Sequence, residues 1–222
     1  MEVVRQVWST LPLLLDGLVT TLQICAAGMV IALLLAIPLV AGRRSGRRPL
    51  VLAVRGWVAF MRGLPIVILV FLLYFGIPAL LDLGRVSATW VGIIALAMNG
   101  SAFTAEILRA AIDRVPTGQW EAARALGLRP GTTWRRVIGP QMLPAALPAL
   151  VGELGFLVKA SPVLSLITVV DLTRRSQQVA MQTFDPLAPM LAAALHYFVI
   201  LFALSRLSLL LERRLLPVGA RP

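Results

Sequence analysis

Residues 117–140 read TGQWEAARALGLRPGTTWRRVIGP, a charged stretch set between long apolar runs. Glu121-Ala122-Ala123 is followed four positions later by Gly127, and Pro140 lies thirteen beyond that glycine. Thr117, after Pro116, is a candidate N-cap, and Glu121 in the first turn suits the positive end of a helix dipole. Ala122, Ala123, Ala125 and Leu126 are strong helix formers, and Gly127 stands where a helix stops in the left-handed conformation. These signals predict a helix of about two turns, too short to be stable alone in water. It needs a surface to pack on. Trp120 and Ala123 share one face, with Ala122 and Leu126 beside them, and Glu121 is spaced to pair with Arg124 at i, i+3. A second helical piece is predicted over 133–138, after Pro130, stopped by Gly139-Pro140. Such a hydrophilic insert is built to lie outside a bilayer and touch a partner.

The flanking runs set the class. Of 222 residues, 59% are hydrophobic and 14% charged, well below the roughly 25% charged of a soluble domain. The mean hydropathy is +0.87. Uncharged stretches at 17–42, 63–81, 86–105 and 186–205 approach or exceed the roughly 20 residues that cross a bilayer as a helix. A further apolar stretch, 145–170, carries Glu153 and Lys159. The expectation is an all-α integral membrane protein, one domain over 1–222, with about five spans near 11–42, 55–81, 86–110, 145–170 and 186–211. Helices satisfy every backbone polar group within the segment, as lipid demands. The stretch 111–142 is then a loop on one side. Glu2, Asp16 and the length of the first apolar run argue against a cleavable signal peptide.

The formal charge of +11 is distributed by topology. Arg43, Arg44, Arg47, Arg48 and Arg55 follow the first span, and Arg109, Arg114, Arg124, Arg129, Arg135 and Arg136 fall between the third and fourth. Arg213, Arg214 and Arg221 close the chain, whereas the opposite loops hold only Arg85, Arg174 and Arg175, near Asp82, Asp171 and Asp185. Positive loops stay inside, which predicts an outside N-terminus and a cytoplasmic C-terminus. The basic runs are therefore topogenic and not a nucleic-acid surface. The single Cys25 permits no disulfide within one chain. Residues 43–62 read as a short loop and an interfacial segment, with Arg48, Arg55 and Arg62 among Trp57, Phe60 and Met61. Gly63 and Pro65 break that pattern, Pro140, Pro144 and Pro148 predict an irregular or kinked start to the fourth span, and 171–186 reads as a polar outer loop.

Glu121-Ala122-Ala123, three residues, Gly127, nine residues, then Val137-x-Gly139-Pro140 resembles the EAA loop of permease subunits of ABC importers. The family pattern ends in Ile-x-Leu-Pro, so Val137 and Gly139 depart from it. Arg62-Gly63-Leu64-Pro65 and Tyr74-Phe75-Gly76-Ile77-Pro78 resemble stretches of the polar amino-acid permeases, as does Ala102-Phe103-Thr104-Ala105-Glu106-Ile107 followed by Val115-Pro116-Thr117-Gly118-Gln119. Lys159-Ala160-Ser161-Pro162 sits where that family has Lys-Asp-Thr-Ser, so any role of the family's Asp and second hydroxyl in the path is absent here. Together these matches run in order over roughly residues 17–212.

The resemblance implies a type I importer permease in a bacterial plasma membrane. Two permease subunits, identical or different, would form a path for a polar amino acid or close analogue. Cytoplasmic ATPases would bind ATP and magnesium, and an extracytoplasmic binding protein would deliver the solute. Gln119, Glu121, Ala122, Ala123, Gly127 and Pro140 would form the ATPase-coupling loop. The residues independently exclude one means of powering transport. A phosphate-cradling loop needs Gly-Lys, and the only lysine, Lys159, follows Val158, so the chain holds no cofactor of that kind and is no enzyme. With one His and one Cys, a metal site is not expected.

Ionisable groups at membrane depth cost roughly 2.5–3.5 kcal/mol at a helix centre, so each is a pathway or pairing candidate. Asn99, Ser101, Glu153, Lys159 and Ser161 are the candidates for lining the path, although small polar residues also bond between helices. Glu106 and Arg109 are spaced for a structural pair. His196 reads as a structural histidine. Two other functions remain: the same permease type for a non-amino-acid solute such as a compatible solute or an opine, and, remotely, an intramembrane serine protease using Ser101 and His196.

Overall fold

The computed structural model describes residues 1–215. Arg221 lies outside them. The chain is a stack of helices: α1 Glu2–Thr10, α2 Leu15–Arg43, α3 Arg48–Gly63, α4 Ile66–Phe71, α5 Ile77–Leu81, α6 Ala88–Asp113, α7 Thr117–Ala125, α8 Pro130–Thr133, α9 Gly139–Ala160, α10 Leu172–Thr183 and α11 Leu187–Leu215. Tighter 3-10 turns at Leu11–Leu14 and Ser161–Ile167, and wider π-turns at Leu72–Gly76 and Trp134–Ile138, join neighbouring helices. Among the described residues, four helical segments are long and apolar enough to cross a bilayer, or five if α3 and α4–α5 count together.

That last pair departs from the continuous second span expected over 55–81. The chain bends by 103° between α3 and α4–α5. Pro65 excludes its predecessor from the helical region, and Leu64 accordingly sits at φ −85°, ψ 124°. The stretch read as a loop and interfacial segment is largely the sixteen-residue helix α3. The outer loop expected over 171–186 also folds, into α10, because the Asp171 carboxylate accepts from the Arg174 amide at 2.8 Å as its N-cap.

The core lies where α2, α6 and α9 meet. Small residues let the backbones approach: a Cβ on Gly28 would stand 3.1 Å from that of Leu96, and one on Gly100 3.3 Å from that of Ala32. Close approach through small residues is how membrane helices gain packing without a hydrophobic drive. Ile24, Met61, Leu96, Leu157 and Leu164 fill the remaining space, each nearly or fully buried. The outer faces of α2 and α11 stay exposed and apolar, with Val30, Leu34, Phe198 and Val199 all more than half exposed. Such faces suit lipid.

The helix α9 runs unbroken through Pro144 and Pro148. The irregularity expected at its start lies upstream of all three prolines, in the π-turn Trp134–Ile138. Gly139-Pro140 therefore does not stop the preceding helical piece but opens α9, where a proline's missing N–H is harmless. A Cβ on Gly139 would stand 2.7 Å from the Trp134 carbonyl oxygen. The wide turn needs a glycine there.

Candidate functional site

The insert forms a compact hook below the ends of α2, α6 and α9. Helix α7 starts one residue earlier than expected: Thr117 is its first residue and not its cap, the cap position falls to Pro116, and no side chain caps it. It ends on Gly127 at φ +66°, with the Gly127 amide donating to the Arg124 carbonyl at 2.9 Å and Leu128 to Ala123 at 3.0 Å. This left-handed closure satisfies the last carbonyls. Ala123 is buried and Trp120 half-buried, so these two form the packed face. Trp120 meets Trp134 edge to face at 5.5 Å, and the Arg44 guanidinium lies 5.4 Å above its ring. The Gln141 amide donates to Gln119 at 3.3 Å, joining α7 to α9.

The other face points away from the body. Gln119, Glu121, Ala122 and Leu126 are exposed, Leu126 by 75%. No ion pair joins Glu121 to Arg124 among the described residues, and both stay in solvent. Their i, i+3 spacing permits a contact worth only a few tenths of a kcal/mol, too little to hold two exposed side chains together.

Behind the hook, an ion-pair chain ties α2 to α6. Glu106 accepts from Arg43 and, at 2.9 Å, from Arg109. Arg109 continues to Asp113 at 2.8 Å, and Arg44 reaches the same carboxylate at 3.0 Å. The spacing of Glu106 and Arg109 was legible in the sequence. The participation of Arg43, Arg44 and Asp113 was not, since it joins residues more than sixty positions apart; Asp113 at i+4 from Arg109 was its one local sign.

The candidate path residues divide. Asn99, 4% exposed, donates to the Met61 carbonyl at 2.8 Å and pins the end of α3 to α6. Ser101 donates to Met98 at 2.7 Å and accepts from the Trp57 indole at 3.3 Å. Ser161 donates to Val158 at 2.9 Å and is fully buried. Glu153 differs. It is 8% exposed, its Oε1 lacks a hydrogen-bond partner, and it lines a cavity of about 420 Å³ between α3, α6 and α9 together with Arg62, Phe103, Glu106, Arg109 and Arg114. Arg62, unmarked by sequence reasoning as a path residue, lies 5.4 Å over the Phe103 ring in that cavity. Lys159 lines a separate groove between α9 and α11 with Ser205 and Ser208.

A second buried acid lies at the other end. Asp171 is fully buried, with one carboxylate oxygen capping α10 and the other without a partner. Burial pushes its carboxyl up to about 6, against the opposing pull of backbone donors and Arg174. The Leu172 amide donates to Thr21 at 3.0 Å, seating α10 on α2.

The serine-protease alternative is overturned. Ser101 is bonded to Trp57 and Met98, and His196 Nδ1 pairs with the Ala192 carbonyl at 2.8 Å, so no base serves the hydroxyl. The comparisons with known proteins point to transport instead. Residues 28–217 match the family described as the inner membrane component of binding-protein-dependent transport systems. The arginine transport system permease protein ArtQ of Bacillus subtilis (strain 168) is 34% identical over 205 residues, 92% of this chain and 93% of that protein. The nopaline transport system permease protein NocM of Agrobacterium fabrum (strain C58 / ATCC 33970) is 32% identical, over 94% of this chain and 90% of its own. The crystal structure of an amino acid ABC transporter with histidines superposes with a TM-score of 0.83 at 36% identity, covering 92% of this chain and 94% of that one. The fold is that of a type I ABC importer permease, and a member of this family works with an ATPase and a binding protein. This multi-pass chain belongs to the family of inner membrane components of binding-protein-dependent transport systems, as a transport subunit whose ATPase is a separate protein.

Proposed function

We propose that the chain forms the translocation path of a bacterial plasma-membrane importer for a polar amino acid or close analogue, pairing with a second permease subunit, its own copy or another. The arginine-rich ends support a cytoplasmic hook and an outside N-terminus, since positive loops stay inside. The exposed face of α7, with Gln119, Glu121, Ala122 and Leu126, enters a groove on the ATPase, which binds ATP and Mg²⁺. Ala123, Gly127 and Pro140 hold α7 to the body. A binding protein delivers the solute on the side of α10.

The observation that carries the substrate is Glu153. Its side chain lines a cavity that also holds Arg62, and one of its carboxylate oxygens is buried without a partner. A buried acceptor is costly until a donor meets it. An α-amino acid brings an ammonium and a carboxylate, which match Glu153 and Arg62 in sign. A cationic side chain would satisfy Glu153 further, in keeping with the arginine system of the relative above. The nopaline system favours a second reading, an opine, which keeps the same amino-acid groups.

The test is uptake by the complete reconstituted complex, with basic, neutral and acidic amino acids and an opine as competitors in turn. The basic amino acid should compete best. Glu153→Gln should cut its uptake by about 10- to 100-fold, the worth of one hydrogen bond to a charged group, with assembly unchanged. Equal uptake by wild type and variant would remove Glu153 from the path.

A further inference from the structure

The cavity at the arginine-rich end of α2 takes no part in that reading. Its volume is about 470 Å³, and its walls include Ile37, Val40, Leu108, Ile112, Trp134 and Met142. It is far larger than the roughly 30 Å³ a water occupies, and a lining apolar on all sides but one offers water few partners. Arg44 belongs to the same lining.

The outward face of α2 leads into it. Val30, Leu34 and Ile37 are 57%, 62% and 60% exposed, and Ala41 and Arg44, also exposed, continue the same helical line. From Val30 to Arg44 this strip runs roughly 20 Å at 1.5 Å per residue, which is more than one leaflet of a roughly 30 Å hydrocarbon core. It is apolar throughout and ends on a cation. Arg44 spends one of its five N–H donors on Asp113, and its side chain remains 38% exposed. Arg135, exposed, lines the adjoining hollow with Trp134 and Met142.

We propose that this strip and cavity bind one anionic phospholipid, its acyl chain lying on Val30, Leu34, Ile37 and Ala41 and entering the cavity, its phosphate held by Arg44 and Arg135. Basic pockets between helices at the cytoplasmic side recognise anionic headgroups by the same charge match. Only the choice of leaflet rests on the topology proposed above.

The test uses the full chain in complex with its ATPase, delipidated and returned to nanodiscs of phosphatidylglycerol or phosphatidylcholine with identical acyl chains. Bound lipid is then counted by native mass spectrometry. The complex should retain one phosphatidylglycerol per chain in preference to phosphatidylcholine. Arg44→Gln and Arg135→Gln should each weaken retention about fivefold, the effect of one arginine near an anionic surface. Ala41→Trp, which fills the exposed strip without removing either partner of an ion pair, should abolish it. Equal retention of the two lipids, or undiminished phosphatidylglycerol in both Ala41→Trp and Arg135→Gln, would overturn the proposal. So would displacement of the lipid when the ATPase binds, which would assign the cavity to a protein interface, or full competition by inorganic phosphate, which would leave a simple anion site. Labelling of a cysteine placed at Gly118 from either side of the membrane reports topology separately, so failure of the two readings is distinguishable.

Discussion

At the scale of single residues, two glycines of the hook do different work. Gly127 closes α7 at φ +66°, where an L side chain costs roughly 1–2 kcal/mol. A two-turn helix has little intrinsic stability to spare. Gly127→Val should therefore fray α7 and weaken capture of the ATPase, measured by co-purification, while membrane insertion stays at the wild-type level. Undiminished capture would show that the closure of α7 does not position the docking face. This glycine was legible in the sequence, because a run of helix formers ending on Gly is a local signal. Gly139 was not. Its departure from the family pattern suggests a looser loop, whereas its missing Cβ accommodates the Trp134 carbonyl across a π-turn. No residue type marks a π-turn in advance. The same limit applies to the path: Glu153 stood out because acids are rare at that depth, yet only the folded chain shows Asn99 and Ser101 spent on internal bonds.

At the scale of elements, length and hydropathy were enough for α2, α6, α9 and α11, since uninterrupted apolar runs leave lipid-compatible backbones one choice. The shorter elements depended on single junctions. Pro65 turns α3 away from α4 by 103°, and Asp171 converts a polar loop into α10. The second case has a pH signature. Burial raises the folded pKa of Asp171 from 3.8 to about 6, so between those values the folded state binds more protons than the unfolded. The stability of docked α10 is then greatest below about pH 4, falls as pH rises to about 6, and is level above that. Asp171→Asn keeps an N-cap acceptor but removes the titration. Proteolytic cleavage within 171–186 of the purified complex should accelerate between pH 4 and 6 in wild type, corrected for protease activity, and stay flat in the variant. A parallel slope in both would place the titration elsewhere.

At the scale of the whole molecule, the proposed coupling requires a route by which a hook of exposed residues would move a bundle of spans. The hook touches the body through Trp120, Trp134 and Gln141, and the body behind it is locked by Arg43, Glu106, Arg109, Asp113 and Arg44. Arg44 belongs to both, bonded to Asp113 and stacked on Trp120. Under the proposed coupling, a displacement of α7 would thereby pass to α2 and α6 together, as a rigid-body shift, since packed interiors deform little. Asp113 is the sharpest place to cut this connection. Its two pairs are partly exposed, with the Asp113 side chain 47% exposed, and such pairs contribute only about 0.2–1 kcal/mol each. Asp113→Asn should therefore fold, insert and bind the ATPase as wild type does. In the reconstituted complex it should still support ATP hydrolysis, but with fewer solute molecules imported per ATP, whereas the isolated chain should hydrolyse no ATP in either form. An unchanged ratio of uptake to hydrolysis would mean that the hook drives the spans through the α9 junction at Trp134 alone, and that the arginine–carboxylate chain serves only to fasten α2 to α6.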